Sequence, residues 1–196
     1  LNKSNPPFYK WFEDGVTNTC YNALDVHIDK GNGKKTALIY DSPITGNKDQ
    51  FTYEELRSKV SKFAGALKDQ GVKKGDRIII YMPMIPEAVI AMLASARIGA
   101  IHSVVFGGFA SNELASRIDD SKAKILVTAS CGFEPGRTVE YKPLVDEAVK
   151  QANHKIDKMI LFQRTGHEVK LNTPDEVSWV EVVSKANEVD CVEMNS

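Results

Sequence analysis

The chain has 196 residues, of which 25 are Lys or Arg and 26 are Asp or Glu, so its formal net charge is −1. This balance excludes the strongly basic surface of nucleic-acid-binding proteins and polybasic membrane anchors, and we expect neither a nucleic acid nor a membrane as partner. No apolar run approaches the length of about 18 residues that a transmembrane helix needs.

The cysteines and the two ends of the chain give further expectations. Cys20, Cys131 and Cys191 are odd in number and far apart, and their spacing fits neither a zinc site nor a redox pair, which favours a reducing intracellular compartment. The chain begins with Leu, and its last ten residues have the pattern of a connector. We therefore expect a piece of a longer protein, with the rest of that protein as one of its partners.

The first part of the chain predicts a hairpin and then a helix. Thr36–Asp41 and a segment near Gln50–Phe51 have the composition of two short strands joined by a polar turn. Thr52 and Glu55 form a capping-box pattern, and the apolar residues that follow recur at helical spacing until Gly71. We expect a hairpin followed by a helix with one buried face, preceded by a helical lead-in over residues 1–35.

The middle of the chain alternates between strand and helix patterns. The predicted strands are 78–81, 101–106, 125–128 and 158–162. The predicted helices are one opened by Pro86, one capped by Ser111 or Asn112 and running to Asp120, one over 144–153, and a weaker one that starts at 173–175 and covers 179–186. Such alternation predicts an α/β fold with a mostly parallel sheet and flanking helices.

Two loops that follow predicted strands are candidates for a ligand site. One is Phe106-Gly107-Gly108-Phe109, and the other is Glu134-Pro135-Gly136-Arg137. In a parallel sheet both loops leave the same edge, where α/β proteins bind ligands, so the two can face each other. The phenylalanine rings could stack on a purine and the Arg137 guanidinium could hold a phosphate.

Simpler interpretations of these segments stay open. The first loop could be a tight strand-to-helix connection with no ligand, and Arg137 could pair with Glu134 or Glu140 on the surface. The segment Ile44–Lys48 looks like a phosphate-binding loop, but it lies before the first long helix, and we expect a hairpin turn there.

Three sequence blocks carry a resemblance to a known family. They are Tyr-Met-Pro-Met-Ile-Pro-Glu-Ala at 81–88, the run at 96–110 that contains Phe-Gly-Gly-Phe, and Ser-Arg-Ile-Asp-Asp at 116–120. They resemble the amino-terminal region of short-chain acyl-CoA synthetases, which belong to the adenylate-forming superfamily. With the block at 134–141, the chain is most similar to the eukaryotic mitochondrial branch that prefers propionate.

The resemblance implies a set of CoA-binding residues. In this family a Phe-Gly-Gly-Phe turn and an Arg-x-Gly-Arg segment contact the nucleotide of CoA. The corresponding residues here are Phe106, Gly107, Gly108 and Phe109, and Glu134, Pro135, Gly136 and Arg137. Glu134 stands where the family has its first arginine, so a carboxylate that repels phosphate replaces one cation; either Arg137 carries more of the contact or the pose of CoA differs.

The resemblance also implies an activity and the parts that this chain lacks. Family members activate a short-chain carboxylate, here acetate or propionate, with MgATP to an acyl-adenylate, release pyrophosphate, and pass the acyl group to CoA. The phosphate loop, the metal-binding glutamate and the catalytic lysine would follow Ser196. Residues 36–196 would then be the first α/β portion of the large domain, without catalytic or metal-binding residues and inactive alone, in the mitochondrial matrix or the cytoplasm.

Two other classes of protein are alternatives to this one. A dinucleotide-binding domain needs Gly-x-Gly-x-x-Gly after a strand, and the chain has no such motif. A non-catalytic α/β interaction module remains open, because a partial sheet would expose an edge and an apolar face.

Overall fold

Eleven strands and five α-helices form the structure, a computed structural model that describes residues 1–195. In chain order the elements are β1 (Val16–Thr17), β2 (Thr36–Asp41), β3 (Lys48–Thr52), α1 (Tyr53–Asp69), β4 (Arg77–Met82), α2 (Pro86–Arg97), β5 (Ile101–Phe106), α3 (Ser111–Ser121), β6 (Ile125–Ala129), β7 (Cys131–Glu134), β8 (Arg137–Glu140), α4 (Tyr141–Gln151), β9 (Lys158–Phe162), β10 (Glu176–Ser178), α5 (Trp179–Lys185) and β11 (Met194–Asn195). None of the helices within these residues is long and apolar enough to cross a membrane.

The core is a parallel sheet of five strands in the order β10-β9-β6-β4-β5. Side chains alternate across it: Ile78 and Ile80 of β4 pack with α1, α2 and α5, whereas Ile79 and Tyr81 pack with α3 and α4. Both faces are covered, which explains why the central strands are continuously apolar. The predicted α/β fold is confirmed.

The register of the sheet brings four strand ends together. Met82 pairs with Phe106, Tyr81 with Thr128, and Ala129 with Phe162. The carboxyl ends of β4, β5, β6 and β9 therefore lie side by side, and the loops that follow them share one edge of the sheet.

The predicted capping box is present at the start of α1. The Thr52 hydroxyl accepts a hydrogen bond from the Glu55 amide at 3.2 Å, and the Glu55 carboxylate accepts one from the Thr52 amide at 2.8 Å. These bonds satisfy amides that the first helical turn cannot pair internally. At the other end, Gly71 adopts φ +85°, the left-handed conformation expected just after a helix.

Several element boundaries differ from the sequence prediction. Ala110, not Ser111 or Asn112, is the N-cap of α3, and no side chain caps that helix. Helix α4 begins at Tyr141 rather than at residue 144, since Pro143 lies in the first turn, where its missing N–H costs nothing. Strand β10 occupies residues 176–178, where a helical start was predicted.

The two ends of the described chain are paired with each other. The lead-in is helical only over residues 19–32, in two π-helical turns with flanking α-helical residues, and residues 1–15 contain no helix. Strand β1 pairs with β11, so the prediction that the last residues form a connector without a strand is wrong. Residues 187–195, here called the strap, lie along α1 and α2, with hydrogen bonds from Ser61 and Arg97 to Val189.

Candidate functional site

Two neighbouring cavities lie at the edge where β4, β5, β6 and β9 end. The smaller has a volume of about 380 Å³ and is bordered by the turn after β5, and the larger has a volume of about 690 Å³ and is bordered by the β7–β8 hairpin. Both are lined by Thr45, Phe133, Glu134 and Arg164. The segments that follow these four strands thus border two adjoining, ligand-sized cavities.

The turn after β5 presents an aromatic ring on tightly packed glycines. Phe106 is 71% exposed and meets Phe109 edge to face at 5.8 Å between ring centroids. A Cβ on Gly107 would lie 2.8 Å from Cζ of Tyr141, and one on Gly108 would lie 2.7 Å from Cε1 of Phe106. Gly107 has a structural reason of its own, because the buried Tyr141 leaves no room for a side chain, whereas at Gly108 the exposed Phe106 ring would have to turn.

The segment predicted as a second loop is the β7–β8 hairpin. Strands 131–134 and 137–140 are antiparallel, and Pro135-Gly136 form the two-residue turn, in which Gly136 has φ +74°. A fixed negative φ at Pro and a positive φ at Gly are typical of a type II turn. Gly136 thus forms a tight bend within a regular hairpin.

Arg137 makes the ion pair that the simpler interpretation predicted. Its Nε and Nη2 both lie 2.7 Å from Oε2 of Glu134. The two side chains are 71% and 39% exposed. An exposed pair of this kind is worth about 0–1 kcal/mol, which is less than a charged hydrogen bond to phosphate, so the pair does not prevent Arg137 from binding an anion.

Tyr141 holds the two loops together. Its ring lies 5.0 Å from that of Tyr81, its hydroxyl is beside Gly107, and a Cβ on Gly132 would lie 2.9 Å from that hydroxyl. Tyr81 Oη donates a hydrogen bond of 2.7 Å to the Phe109 carbonyl. Burial raises the pKa of Tyr141 to about 12 and also raises the pKa of Tyr81, so both phenols stay neutral beside the cavities at physiological pH.

Arg164 is a site residue that the sequence reasoning missed. It follows β9, is only 8% exposed, and lines both cavities. Its guanidinium lies 4.9 Å from the centre of the Phe133 ring, and within residues 1–195 no carboxylate is close enough to form a salt bridge with it. Burial raises the pKa of Glu87 and the charge of Arg164 lowers it, so Glu87 is the nearby acidic group, although it does not touch the guanidinium. A nearly buried cation that no carboxylate contacts offers a place for an anionic ligand. The sequence signal that could have identified Arg164 is its position directly after a third predicted strand, β9, which ends at the same edge of the sheet.

The structure brings most of the predicted CoA residues together. Phe106, Gly107, Gly108 and Glu134 line the smaller cavity, and Glu134, Gly136 and Arg137 line the larger one. Phe109 and Pro135 line neither of the two: Phe109 supports the Phe106 ring, and Pro135 is exposed at the tip of the hairpin.

The segment Ile44–Lys48 is part of a hairpin turn, as expected. It joins the antiparallel strands β2 and β3, and the Ser42 amide donates to the Asn47 carbonyl at 2.9 Å. Ile44, Thr45 and Asn47 nevertheless line the larger cavity. The turn therefore closes one side of the space.

The residues described do not fit a magnesium ion. Among them the only convergent group of potential metal ligands is Cys20, Asp25 and Cys191. Magnesium prefers oxygen ligands in octahedral geometry, and two of these three ligands are sulfurs. In addition, Arg97 donates a hydrogen bond to Asp25 at 2.8 Å, which places a fixed positive charge beside the group.

Comparison with protein families identifies the family of this chain. A family described as "AMP-binding enzyme" matches residues 26–193, and one described as "Acetyl-coenzyme A synthetase N-terminus" matches residues 1–23. The chain belongs to the AMP-binding enzyme family. Its family membership and its α/β fold agree with the resemblance found in the sequence blocks.

Two of the curated relatives are named as synthetases. The chain is 54% identical to "Acyl-CoA synthetase short-chain family member 3, mitochondrial" of Homo sapiens, over 98% of the chain and 28% of that protein. It is 47% identical to "Acetyl-coenzyme A synthetase" of Streptomyces avermitilis, over 94% of the chain and 28% of that protein. The chain thus spans just over a quarter of the length of these relatives.

A solved structure supports the fold. The crystal structure of an acyl-CoA synthetase from Brucella canis matches with a TM-score of 0.75 and 22% identity, over 93% of this chain and 30% of that one. At 22% identity this match shows a similarity of fold and nothing more.

Proposed function

We propose that the protein containing this chain is a short-chain acyl-CoA synthetase that converts acetate or propionate, ATP and CoA to acyl-CoA, AMP and pyrophosphate through an acyl-adenylate. Family membership and the named relatives support the reaction class. The 54% identity to a mitochondrial short-chain relative supports a short-chain acid as substrate and a mitochondrial location, and the acetyl-CoA synthetase relative supports acetate. Propionate and the mitochondrial matrix are part of this proposal through the resemblance of the sequence blocks, with a cytoplasmic location as the alternative.

In this proposal residues 36–196 supply part of the CoA-binding surface, behind the lead-in of residues 1–35. The observation that carries the proposal is the meeting of the Phe106–Gly108 turn, the Glu134–Arg137 hairpin and Arg164 around the two cavities. The exposed Phe106 ring offers a face for the adenine of CoA. Arg164 and Arg137 offer two guanidinium groups for its phosphates, so Arg164 compensates for the glutamate at position 134.

ATP and magnesium belong to parts of the enzyme outside this chain. The Ile44–Lys48 turn is not a phosphate loop, and the described residues lack an oxygen-rich metal site. This chain alone should therefore not form acyl-adenylate. Its role is to bind and orient the CoA nucleotide so that the thiol reaches the adenylate formed elsewhere.

A second candidate, a non-catalytic interaction module, has one observation in its favour. Strand β5 is an edge of the sheet, and Ile101, Val104 and Phe106 on it are 57%, 54% and 71% exposed. Such an edge suits another protein segment.

Pyrophosphate release by the full-length protein distinguishes the two candidates. With ATP and either acetate or propionate, a synthetase releases pyrophosphate in proportion to the carboxylate added, and acyl-CoA accumulates once CoA is present. An absence of carboxylate-dependent pyrophosphate release with both acids would refute the synthetase and leave the interaction module.

A further inference from the structure

Two of the three cysteines are neighbours in space, although they lie near opposite ends of the chain. Cys20 is in the helical segment after β1, and Cys191 is in the strap. The sulfur atoms of both, together with a carboxylate oxygen of Asp25, all lie within 4.8 Å of one another, and both cysteines are free. The sequence spacing gave no sign of a pair, because β1–β11 pairing and the packing of the strap create it.

A buried guanidinium lies against both sulfurs. Arg97 Nη1 is 3.0 Å from Sγ of Cys191, 3.5 Å from Sγ of Cys20 and 2.8 Å from Oδ2 of Asp25. The Arg97 side chain is 3% exposed and remains charged at any physiological pH. A fixed positive charge beside a thiol favours the thiolate, which is the reactive form of cysteine.

The surroundings of the two thiols divide their roles. The neighbouring Cys191 thiol, assisted by Arg97, lowers the pKa of the Cys20 thiol in spite of burial. The neighbouring Cys20 thiol and burial raise the pKa of Cys191, whose S–H donates a hydrogen bond to Oδ2 of Asp25 at 3.8 Å. Asp25 also binds Arg97 through two hydrogen bonds, at 2.8 and 3.0 Å, and offsets part of the effect of Arg97 on both thiols.

Small oxidants have access to this pair from one side. Cys20 is fully buried, but Cys191 is partly exposed and lines a cavity of about 280 Å³, bordered by β1 and the strap. A hydroperoxide molecule is small enough to enter this space. Cys20, Asp25 and Cys191 form a poor zinc site. Structural zinc needs four N or S ligands, and the Arg97 guanidinium already contacts all three of these residues.

We propose that Cys20 and Cys191 form a peroxide-sensitive dithiol that closes to a disulfide between the amino-terminal helical segment and the strap. This proposal does not depend on the proposed synthetase activity. The sulfurs need to approach by less than about 3 Å to reach the disulfide bond length of about 2.05 Å.

The chemistry balances with hydrogen peroxide as the oxidant. Cys191 attacks the peroxide while the Cys20 thiolate, as general base, accepts its proton; an S–O bond forms, the O–O bond breaks, and the departing hydroxide takes that proton from Cys20 and leaves as water. The Cys20 thiolate then attacks the Cys191 sulfenic acid, the S–S bond forms, and hydroxide leaves and is protonated to a second water. Two thiols lose two electrons, and one peroxide is reduced to two waters.

Peptide mapping of the full-length protein tests the proposal. The reduced protein is exposed to hydrogen peroxide, alkylated, digested and analysed by mass spectrometry. We expect a linked peptide pair containing Cys20 and Cys191, which dithiothreitol separates, while Cys131 remains alkylated. Cys131 is a matched internal control, because it is also buried, burial raises the pKa of its thiol, and it is outside the cluster.

Serine variants test the order of the steps without relying on activity. Cys20→Ser should leave a sulfenic acid at Cys191 that dimedone traps, and Cys191→Ser should leave Cys20 reduced. If a variant fails to fold, peptide mapping of the wild-type protein decides by itself whether the disulfide between Cys20 and Cys191 forms. The proposal is overturned if no linked pair forms, or if Cys131 oxidises at the same rate as Cys20 and Cys191. Protection of both thiols from alkylation by zinc would indicate a metal site and would also overturn it.

Discussion

At the scale of single residues, the charge of Glu134 is the main departure from what a CoA site needs. Its carboxylate binds Arg137 with both contacts at 2.7 Å and also borders the two cavities. In the proposed CoA site it should therefore lower the affinity for CoA in two ways, by pairing with the Arg137 guanidinium and by repelling phosphate. Its position near the hairpin turn keeps the pair exposed and weak.

Glu134→Gln and Arg137→Ala should consequently have opposite effects in the full-length enzyme. Removing the carboxylate should lower the KM for CoA roughly threefold, as expected for loss of an exposed pair and its repulsion. Removing the guanidinium should raise this KM by roughly tenfold, because a charged hydrogen bond contributes about 1.5 kcal/mol. Steady-state kinetics with varied CoA measure both, and a rise in KM for both variants would contradict this assignment.

The neutral phenol of Tyr141 gives a pH prediction. Its pKa is raised from 10.0 to about 12 by burial, so the folded state holds this proton more tightly than the unfolded state. The resulting stability is fully present below pH 10 and is lost as the pH rises towards about 12.

In the Tyr141→Phe variant this loss should disappear. The melting temperature of the full-length wild type should therefore fall more steeply above pH 10 than that of the variant. Tyr9→Phe, at an exposed tyrosine near the amino end, is the control and should follow the wild type. Parallel curves for wild type and Tyr141→Phe would mean that burial does not hold this proton.

At the scale of elements, local signals determined what could be predicted. The capping box located the start of α1, and short, mainly apolar runs located β5 and β9 to the residue. The β7–β8 hairpin was missed because its strands are short and do not alternate between apolar and polar residues. The strap was missed because its order comes from contacts with Ser61, Arg97 and Gly99, which are distant in sequence.

The predictability of the site follows the same division. The turn at Phe106–Gly108 and the segment at Glu134–Arg137 were found because each carries glycine and a ligand-binding side chain in one short motif. Arg164 and Tyr141 were missed as site residues since their roles depend on which strand ends are neighbours. Sequence spacing does not report that proximity.

Packing of the strap on α1 gives a prediction at this scale. A Cβ on Gly65 would lie 3.1 Å from the carbonyl carbon of Asn187 and would contact its oxygen more closely still, so Gly65→Ala should push the strap away from the helix. Overpacking of this kind costs about 1–3 kcal/mol, enough to speed amide exchange in residues 187–195 by roughly tenfold or more.

Hydrogen exchange of the full-length protein checks this expectation. Lys62→Ala, on the exposed side of the same helix, is the matched control and should leave exchange in the strap unchanged. Equal exchange in the Gly65→Ala variant and the wild type would mean that the strap is not held by α1.

At the scale of the whole molecule, the parallel sheet determines which step of the proposed reaction this chain contributes to. Its strand register places the loops after β5, β6 and β9 at one edge, and those loops supply an aromatic face and two guanidinium groups. In the proposed enzyme, adenylate formation depends on residues outside this chain and thioester formation depends on this edge. The two half-reactions should therefore respond differently to a change at the edge.

Measuring both half-reactions in Arg164→Gln of the full-length enzyme tests this claim most directly. Carboxylate-dependent ATP–pyrophosphate exchange should stay close to that of the wild type, while the KM for CoA in thioester formation should rise by roughly tenfold or more. Arg117→Gln, at an exposed arginine on α3, serves as the control and should change neither. An equal loss in both half-reactions, or an unchanged KM for CoA, would contradict the assignment of this edge to CoA.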